Sequence, residues 1–259
     1  GNFVFKGVFD GNNKTISGLK QSSKTYFGLF GNVSGTVKDL TLSGVSITGS
    51  THGGSLCYML MKGGTLSNCK AEGKMSNVGV SSSSNTVYAY VGGLVARSYG
   101  GTITHCVNGM DIESKDKTRV GGIVAYTEGS TSLQYCENAG NISNTFYIGG
   151  ISGYGGIIKY CVNYGNITGT SMSVQIAGIG LTSSTITGCV NSGRIAVPLV
   201  STTCYVAGVG YDGTIISSYN VGEIVGNNAT ATYGVGKTCQ FCYNAAKVSG
   251  NNVYAVGSS

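Results

Sequence analysis

The sequence predicts an all-β chain folded as a right-handed parallel β-helix, a solenoid with three short strands per rung and about nine rungs. Three observations predict it. A cysteine-centred string recurs along the chain, a glycine-centred string answers each copy, and no 3.6-residue apolar stripe competes with them anywhere in the 259 residues.

The cysteine string reads "GTLSNCKAEGKM" from Gly64, "GTITHCVNGMDI" from Gly101, "TSLQYCENAGNI" from Thr131 and "GIIKYCVNYGNI" from Gly156. It continues as "STITGCVNSGRI" from Ser184, "GTIISSYNVGEI" from Gly213 and "KTCQFCYNAAKV" from Lys237. The glycine string reads "YFGLFG" at Tyr26, "VGGLVA" at Val91, "VGGIVA" at Val120, "IGGISG" at Ile148, "IAGIG" at Ile176, "VAGVG" at Val206 and "YGVG" at Tyr233, with "HGGSL" at His52 a weaker copy. Its second glycines, Gly93, Gly122, Gly150, Gly178, Gly208 and Gly234, are 29, 28, 28, 30 and 26 residues apart. The one long step, from Gly54 to Gly93, holds a polar insertion over 76–90 that must loop out of the stack.

Each unit offers short apolar runs separated by Gly, Asn and Ser, which reads as three strands and three turns. A unit this small cannot bury a face alone, so units must stack. At a strand spacing of about 4.8 Å, about nine rungs make a rod roughly 40 Å long. Residues 1–259 therefore form a single β-helix repeat domain, a fragment of a longer surface protein.

Composition agrees. The chain is 41% hydrophobic and 10% charged, with 44 Gly, one Pro and no Trp, which suits strands joined by many turns. Collagen is excluded because Gly has no three-residue period. The formal charge of +6 is dispersed, with no basic run that would track a phosphate backbone, so no nucleic-acid partner is expected. No stretch approaches 18 consecutive apolar residues, so no direct membrane insertion is expected either.

In a stack every repeated position becomes a column. Cys69, Cys106, Cys136, Cys161, Cys189 and Cys242 form an inward one, with Ser218 in the remaining place. A small polarisable side chain suits it, and the serine points to size over thiol chemistry. Disulfides between rungs are geometrically open, but nine cysteines cannot all pair internally. Asn108, Asn138, Asn163, Asn191, Asn220 and Asn244 form a second inward column, whose amides can hydrogen-bond from rung to rung. In "CVNYGNI" the glycine, Gly165, takes the turn. The next, outward, column reads Lys74, Asp111, Asn141, Asn166, Arg194, Glu223 and Lys247, so Lys74 meets Asp111, and Arg194, Glu223 and Lys247 alternate in sign.

Tyrosines supply the candidate binding residues. Tyr58, Tyr126, Tyr154 and Tyr211 follow the glycine string, and His105, Tyr135, Tyr160 and Phe241 sit outward before the cysteine. Aromatics on consecutive rungs make a stripe that can stack on sugar rings or a partner protein, or on one another. Catalytic candidates are sparse. The densest acidic group, Asp111, Glu113 and Asp116, shares a polar turn with Lys115 and Lys117, and no column brings carboxylates together across a groove. With two histidines, no H-E-x-x-H and no G-x-S-x-G, metallopeptidase and serine-hydrolase motifs are absent. The sole C-x-x-C, Cys239 to Cys242, lacks a second pair, so neither a metal nor a cofactor is expected.

"FKGVFDGNNKTISGL", "YFGLFGNVSGTVKDLTL" and the recurring "VGGIVA...C-x-N-x-G-x-I" units resemble the GLUG-type repeats, which also occur in a non-catalytic part of the bacterial IgA-cleaving metallopeptidases. The likeness covers essentially the whole chain. It implies a β-helical segment of a secreted or cell-surface bacterial protein with an adhesive role, and it transfers no catalytic residue. Two functions stay open: a non-enzymatic adhesin or rigid spacer touching a host protein or glycan, and a carbohydrate-binding or carbohydrate-processing β-helix that uses the tyrosine stripes.

Overall fold

The computed structural model describes residues 3–80, 89–115, 117–144, 146–169, 175–182, 184–197 and 203–257. Its strands pair in parallel throughout and close into a right-handed β-helix of three sheets. The sheet carrying the residues before the glycine string has nine strands, from Tyr26–Phe27 to Val253–Tyr254, so 9 − 1 = 8 turns separate its ends.

One coil illustrates the path. Strand Tyr147–Gly149 leads into the Gly149-Gly150 corner, after which Ser152 bridges its neighbours above and below. Strand Ile157–Lys159 follows, then Val162–Asn163, then Ile167–Gly169. In the earlier coils the segment after the corner is a full strand, as in Val95–Tyr99 and Val124–Glu128; from Ser152 onward it shrinks to single bridges. Alternation sets which side chains point in. Ile103, Leu133, Ile158, Ile186 and Ile215 stand over one another, as do Ile112, Ile142, Ile167, Ile195 and Ile224, all essentially without solvent exposure. They join one core that runs the length of the rod.

The asparagine column forms as expected. Asn108 Nδ2 donates to Asn138 Oδ1 at 2.6 Å, and the chain continues Asn138 to Asn163 (2.7 Å), Asn163 to Asn191 (2.8 Å), Asn191 to Asn220 (2.7 Å) and Asn220 to Asn244 (2.7 Å). The other Nδ2 hydrogen closes a local turn, for example from Asn163 to Gly165 O at 2.9 Å. Both strings of the repeat meet at this ladder. A Cβ on Gly150 would collide with Gly178 O and stand 2.6 Å from Asn163 Cγ, and the same holds for Gly122 with Asn138 and Gly178 with Asn191. The second glycine of each corner leaves the room that the amide fills, which is why the two strings recur together.

The cysteine column is more polar in its bonding than filler requires. Cys136 N–H donates to Cys161 Sγ and Cys161 N–H to Cys189 Sγ, each at 3.4 Å, and Cys189 N–H donates to Ser218 Oγ at 3.0 Å. Each thiol in turn donates to the carbonyl two residues back, and so does the Ser218 hydroxyl. Serine therefore replaces cysteine because it repeats both bonds, not for its size alone. All nine cysteines are free. Burial pushes the thiols of Cys57 and Cys106 well above the usual range.

Gly165 sits at the bend, as expected, without a positive φ; it is glycine because a Cβ would run into Gly140 O of the coil below. The positive φ falls on the residue before each cysteine of the column. Two expectations need correction. Lys74 lies level with Asp111 but reaches Glu113 at 3.6 Å, while Asp111 Oδ1 accepts from the backbone and side-chain nitrogens of Asn141. That bond belongs to an outer ladder in which Asn141 Oδ1 accepts from Asn166 N and Asn166 Oδ1 from Arg194 N; Arg194 then pairs with Glu223 at 2.8 Å. Of the insertion over 76–90, residues 76–78 and 89–90 lie in strands, and 81–88 fall outside the described residues.

Thr232 sits in register with Val206, in a column of Val and Ile, yet its buried Oγ1 has no hydrogen-bond partner. Thr232→Val is expected to raise stability by about 1 kcal/mol, since an unpaired buried hydroxyl is removed at constant shape; a lower denaturant midpoint would count against this. Cys161→Ala, which strands the Cys136 N–H, is expected to lose about 2 kcal/mol in urea unfolding, while Cys161→Ser stays within about 1 kcal/mol of the parent.

Candidate functional site

Two aromatic surfaces run along the rod. On the first, His105, Tyr135 and Tyr160 stack: ring centroids are 4.9 Å and 5.2 Å apart, with planes inclined by 20° and 15°. All three residues hold a left-handed backbone, with φ of 52°, 52° and 54°. The same conformation recurs at Asp39, Asn68, Gly188, Ser217 and Phe241, so this turn belongs to the coil and the side chain is carried outward by it. For a tyrosine the conformation costs about 1–2 kcal/mol, which the stack and the fixed strands on either side offset. Tyr160 leans over Gly188, where a Cβ would come within 2.7 Å of its ring. Phe241 does not join the ladder: Gly188 and Ser217 intervene, and it stands alone at 88% exposure.

Because the rings lie on one another, their faces are largely taken, and edges and hydroxyls point to solvent. Tyr135 is 47% exposed and Tyr160 49%. The surface is thus open, but it offers hydroxyls more than flat platforms.

The second surface lies at the glycine corner, and here the sequence alignment slips. Val91 pairs with Gly53 and Val95 with Cys57, so Gly54 sits level with the first glycine, Gly92, and Ser55 occupies the place of the second. Tyr58 therefore lies level with Ala96, not with Tyr126. Tyr211 follows Gly210, which bridges Gly180 and through it Ser152, so it too stands one residue short of Tyr154. The expected column of four tyrosines is only a pair, Tyr126 and Tyr154, stacked at 5.2 Å and 17°. Tyr58 packs on Tyr26 at 4.7 Å, and Tyr211 on Tyr205 at 4.5 Å. A single-residue offset redirects a side chain from one face to the other.

What the corner does assemble went unforeseen. Residues just before the glycine string, Tyr90, Arg119 and Tyr147, stack in register, and across the corner Arg97 stands level with Tyr126. The Arg97 guanidinium lies 5.0 Å from the Tyr90 centroid, 4.9 Å from Tyr99 and 5.5 Å from Tyr126. Arg119 lies 5.3 Å from Tyr126, 5.3 Å from Tyr147 and 4.6 Å from Tyr154. Two cations are thus caged by shared tyrosines, an arrangement worth about 0.5–1 kcal/mol per contact at exposed sites. The signal was present in "YVGGLVAR" and "RVGGIVAYTE", where Arg and Tyr exchange sides of the corner between successive coils.

The electrostatics follow. Burial, helped by the Arg97 charge, lowers the pKa of His52, which keeps that ring neutral near pH 7. Burial, the hydrogen bond from Tyr126 to Glu128 at 2.8 Å and the Glu128 charge push the Tyr126 hydroxyl up to about 12. Among the described residues no three His, Cys, Asp or Glu side chains converge as a metal site. Asp111 and Glu113 are exposed and engaged in the contacts above, and Asp116 falls outside the described residues.

No protein-family model matches the chain, and no curated protein matches it. Among solved structures, it is similar to a Bacteroides ovatus protein described as a candidate immunoglobulin A1 protease, with a TM-score of 0.63 and 20% identity over 84% of this chain and 68% of that one. It is also similar to a chain named IgA1 Protease, with a TM-score of 0.56 and 17% identity, of which it spans 18%. At these identities the likeness shows the solenoid fold alone.

Two measurements check this geometry. Tyr160→Gly is expected to stay within about 1 kcal/mol of the parent, because relief at the left-handed position offsets the lost stack, whereas Tyr160→Val should lose about 2 kcal/mol. Tyr126 is protonated below pH 10 in folded and unfolded chains alike, so its contribution is intact there and is lost as pH rises from about 10 towards 12. Tyr126→Phe should flatten the fall of the urea midpoint across that window; an unchanged slope would contradict the assignment.

Proposed function

We propose that the chain is a non-catalytic, rod-shaped module of a larger secreted or cell-surface protein, where it acts as a stiff spacer that also presents an adhesive side. The observation that carries this reading is the amide ladder from Asn108 to Asn244, which ties six successive coils without a break. A column of short, buried hydrogen bonds resists bending between coils, and stiffness along an axis is what a spacer needs. The likeness to longer chains named as IgA1 proteases supports a place beside other domains. The half-exposed His105–Tyr135–Tyr160 ladder supports an adhesive side, and its hydroxyl-rich edge suits a glycan or protein partner.

Deletion of residues 151–178, one repeat of 28, should shorten the rod by about 5 Å in small-angle scattering while the chain stays folded. A flexible, compact scattering profile would end the spacer reading. Beads coated with the chain should adhere to mucin, and Tyr135→Ser with Tyr160→Ser should reduce their retention; equal retention would leave the spacer role alone.

A further inference from the structure

One coil departs from the others at an inward position. The column that carries Leu66, Ile103, Leu133, Ile158, Ile186 and Ile215 passes to Cys239 in the last described coil. The cysteine column, after Ser218, returns to cysteine in that same coil at Cys242. A single coil therefore holds a thiol in both columns, three residues apart, with the left-handed Phe241 (φ 54°) in the span.

The turn brings the two thiols together. Cys239 Sγ donates towards Gly236 O at 3.3 Å and Val256 O at 3.4 Å, and Cys242 Sγ towards Gln240 O at 3.2 Å and Ile215 O at 3.5 Å. Ile215 stands level with Cys239 in the preceding coil, so Cys242 leans towards the Cys239 column, and the two sulfurs are within hydrogen-bonding reach of each other. Each thiol has one hydrogen and several weak acceptors, so no single bond holds it in place. Sulfurs already in contact have only to turn and close to about 2.05 Å to be joined.

Access separates this pair from the rest. Of the nine free cysteines, seven are buried, and Cys239 and Cys242 are not. Burial and the neighbouring Cys242 thiol push the Cys239 thiol up to about 12, which leaves Cys242 to open an exchange and Cys239 to complete it.

We propose that Cys239 and Cys242 form a thiol–disulfide exchange site, which reacts with a small disulfide such as oxidised glutathione and ends as an intramolecular bond across the turn. Cys242 loses its proton to solvent, and its thiolate attacks one sulfur of the reagent; the reagent's S–S bond breaks and the first glutathione leaves as a thiolate. Cys239 then loses its proton and attacks the Cys242 sulfur, expelling the second glutathione. Two protein thiols are oxidised to one disulfide, the reagent is reduced to two thiols, and the two protons released end on them. The bond fastens the turn at Phe241 and with it the coil that the asparagine ladder reaches last, at Asn244.

The test is incubation of the reduced, folded chain with oxidised glutathione, followed by alkylation of the remaining thiols and peptide mass mapping. The expected product has one link, Cys239 to Cys242, and seven alkylated cysteines. C239V and C242S each place in a column a residue type that the column accepts, a β-branched aliphatic and the serine of Ser218, so both variants keep the fold. C239V should stop at a glutathione adduct on Cys242, and C242S should react at least about tenfold more slowly than the parent. In the oxidised parent, amide hydrogen exchange over residues 237–257 should slow relative to the reduced chain. Retention of the glutathione adduct by the parent, no reaction at either residue, equal reaction of the buried cysteines in the folded chain, or unchanged exchange after the link has formed would overturn the proposal.

Discussion

The solenoid depends on a buried amide ladder pressed against a column of glycines. From Asn108 to Asn220, each asparagine of the ladder spends one Nδ2 hydrogen on the next coil and one on its own turn, so a single side chain sets both the pitch between coils and the bend within one. Such a group is costly to bury unpaired and favourable only when the whole column is complete. The corner glycines follow from this, since any larger residue at Gly122, Gly150 or Gly178 would occupy the volume of the amide. Packing of the apolar columns then has a frame to fill, and the isoleucines of successive coils fall directly over one another.

The cysteine column answers a related problem. A left-handed residue before each cysteine of the column turns the chain sharply and takes the cysteine N–H out of the ordinary sheet ladder. A thiol or hydroxyl from the next coil accepts that hydrogen, and the same group donates to a carbonyl of its own turn. Cysteine suits a site that is mostly apolar yet needs one weak acceptor and one weak donor. The turn that creates the need also throws the preceding side chain outward, and in three successive coils that side chain is an aromatic ring. Inner bonding and outer display are therefore two faces of one backbone conformation.

The outside of the rod is organised by the same vertical repetition but less uniformly. Stacked rings consume their own faces, so the lateral ladder offers edges, while the glycine corner gathers two arginines among tyrosines where its two strands fold towards each other. Repetition gives the rod its continuous columns, and departures from repetition, such as Gly188 beneath Tyr160 or Thr182 in place of a tyrosine, create its local features. The solved structures it resembles share the coil, at identities of 20% and 17%.

Period, strand content, inward columns and the pairing of the two strings were all readable in the chain itself, because a stack forces every repeated residue into the same environment and so writes its geometry into the spacing. Asn163 and Cys161 are legible for that reason, even though the hydrogen bonds that select cysteine or serine are not. Tertiary structure alone decided the rest. Whether Tyr58 or Tyr211 joins Tyr126 turns on a one-residue slip at the corner, which a gapped repeat does not reveal. The meeting of Arg119 with Tyr126 across that corner depends on the angle between two sheets, and an angle leaves no period in a sequence.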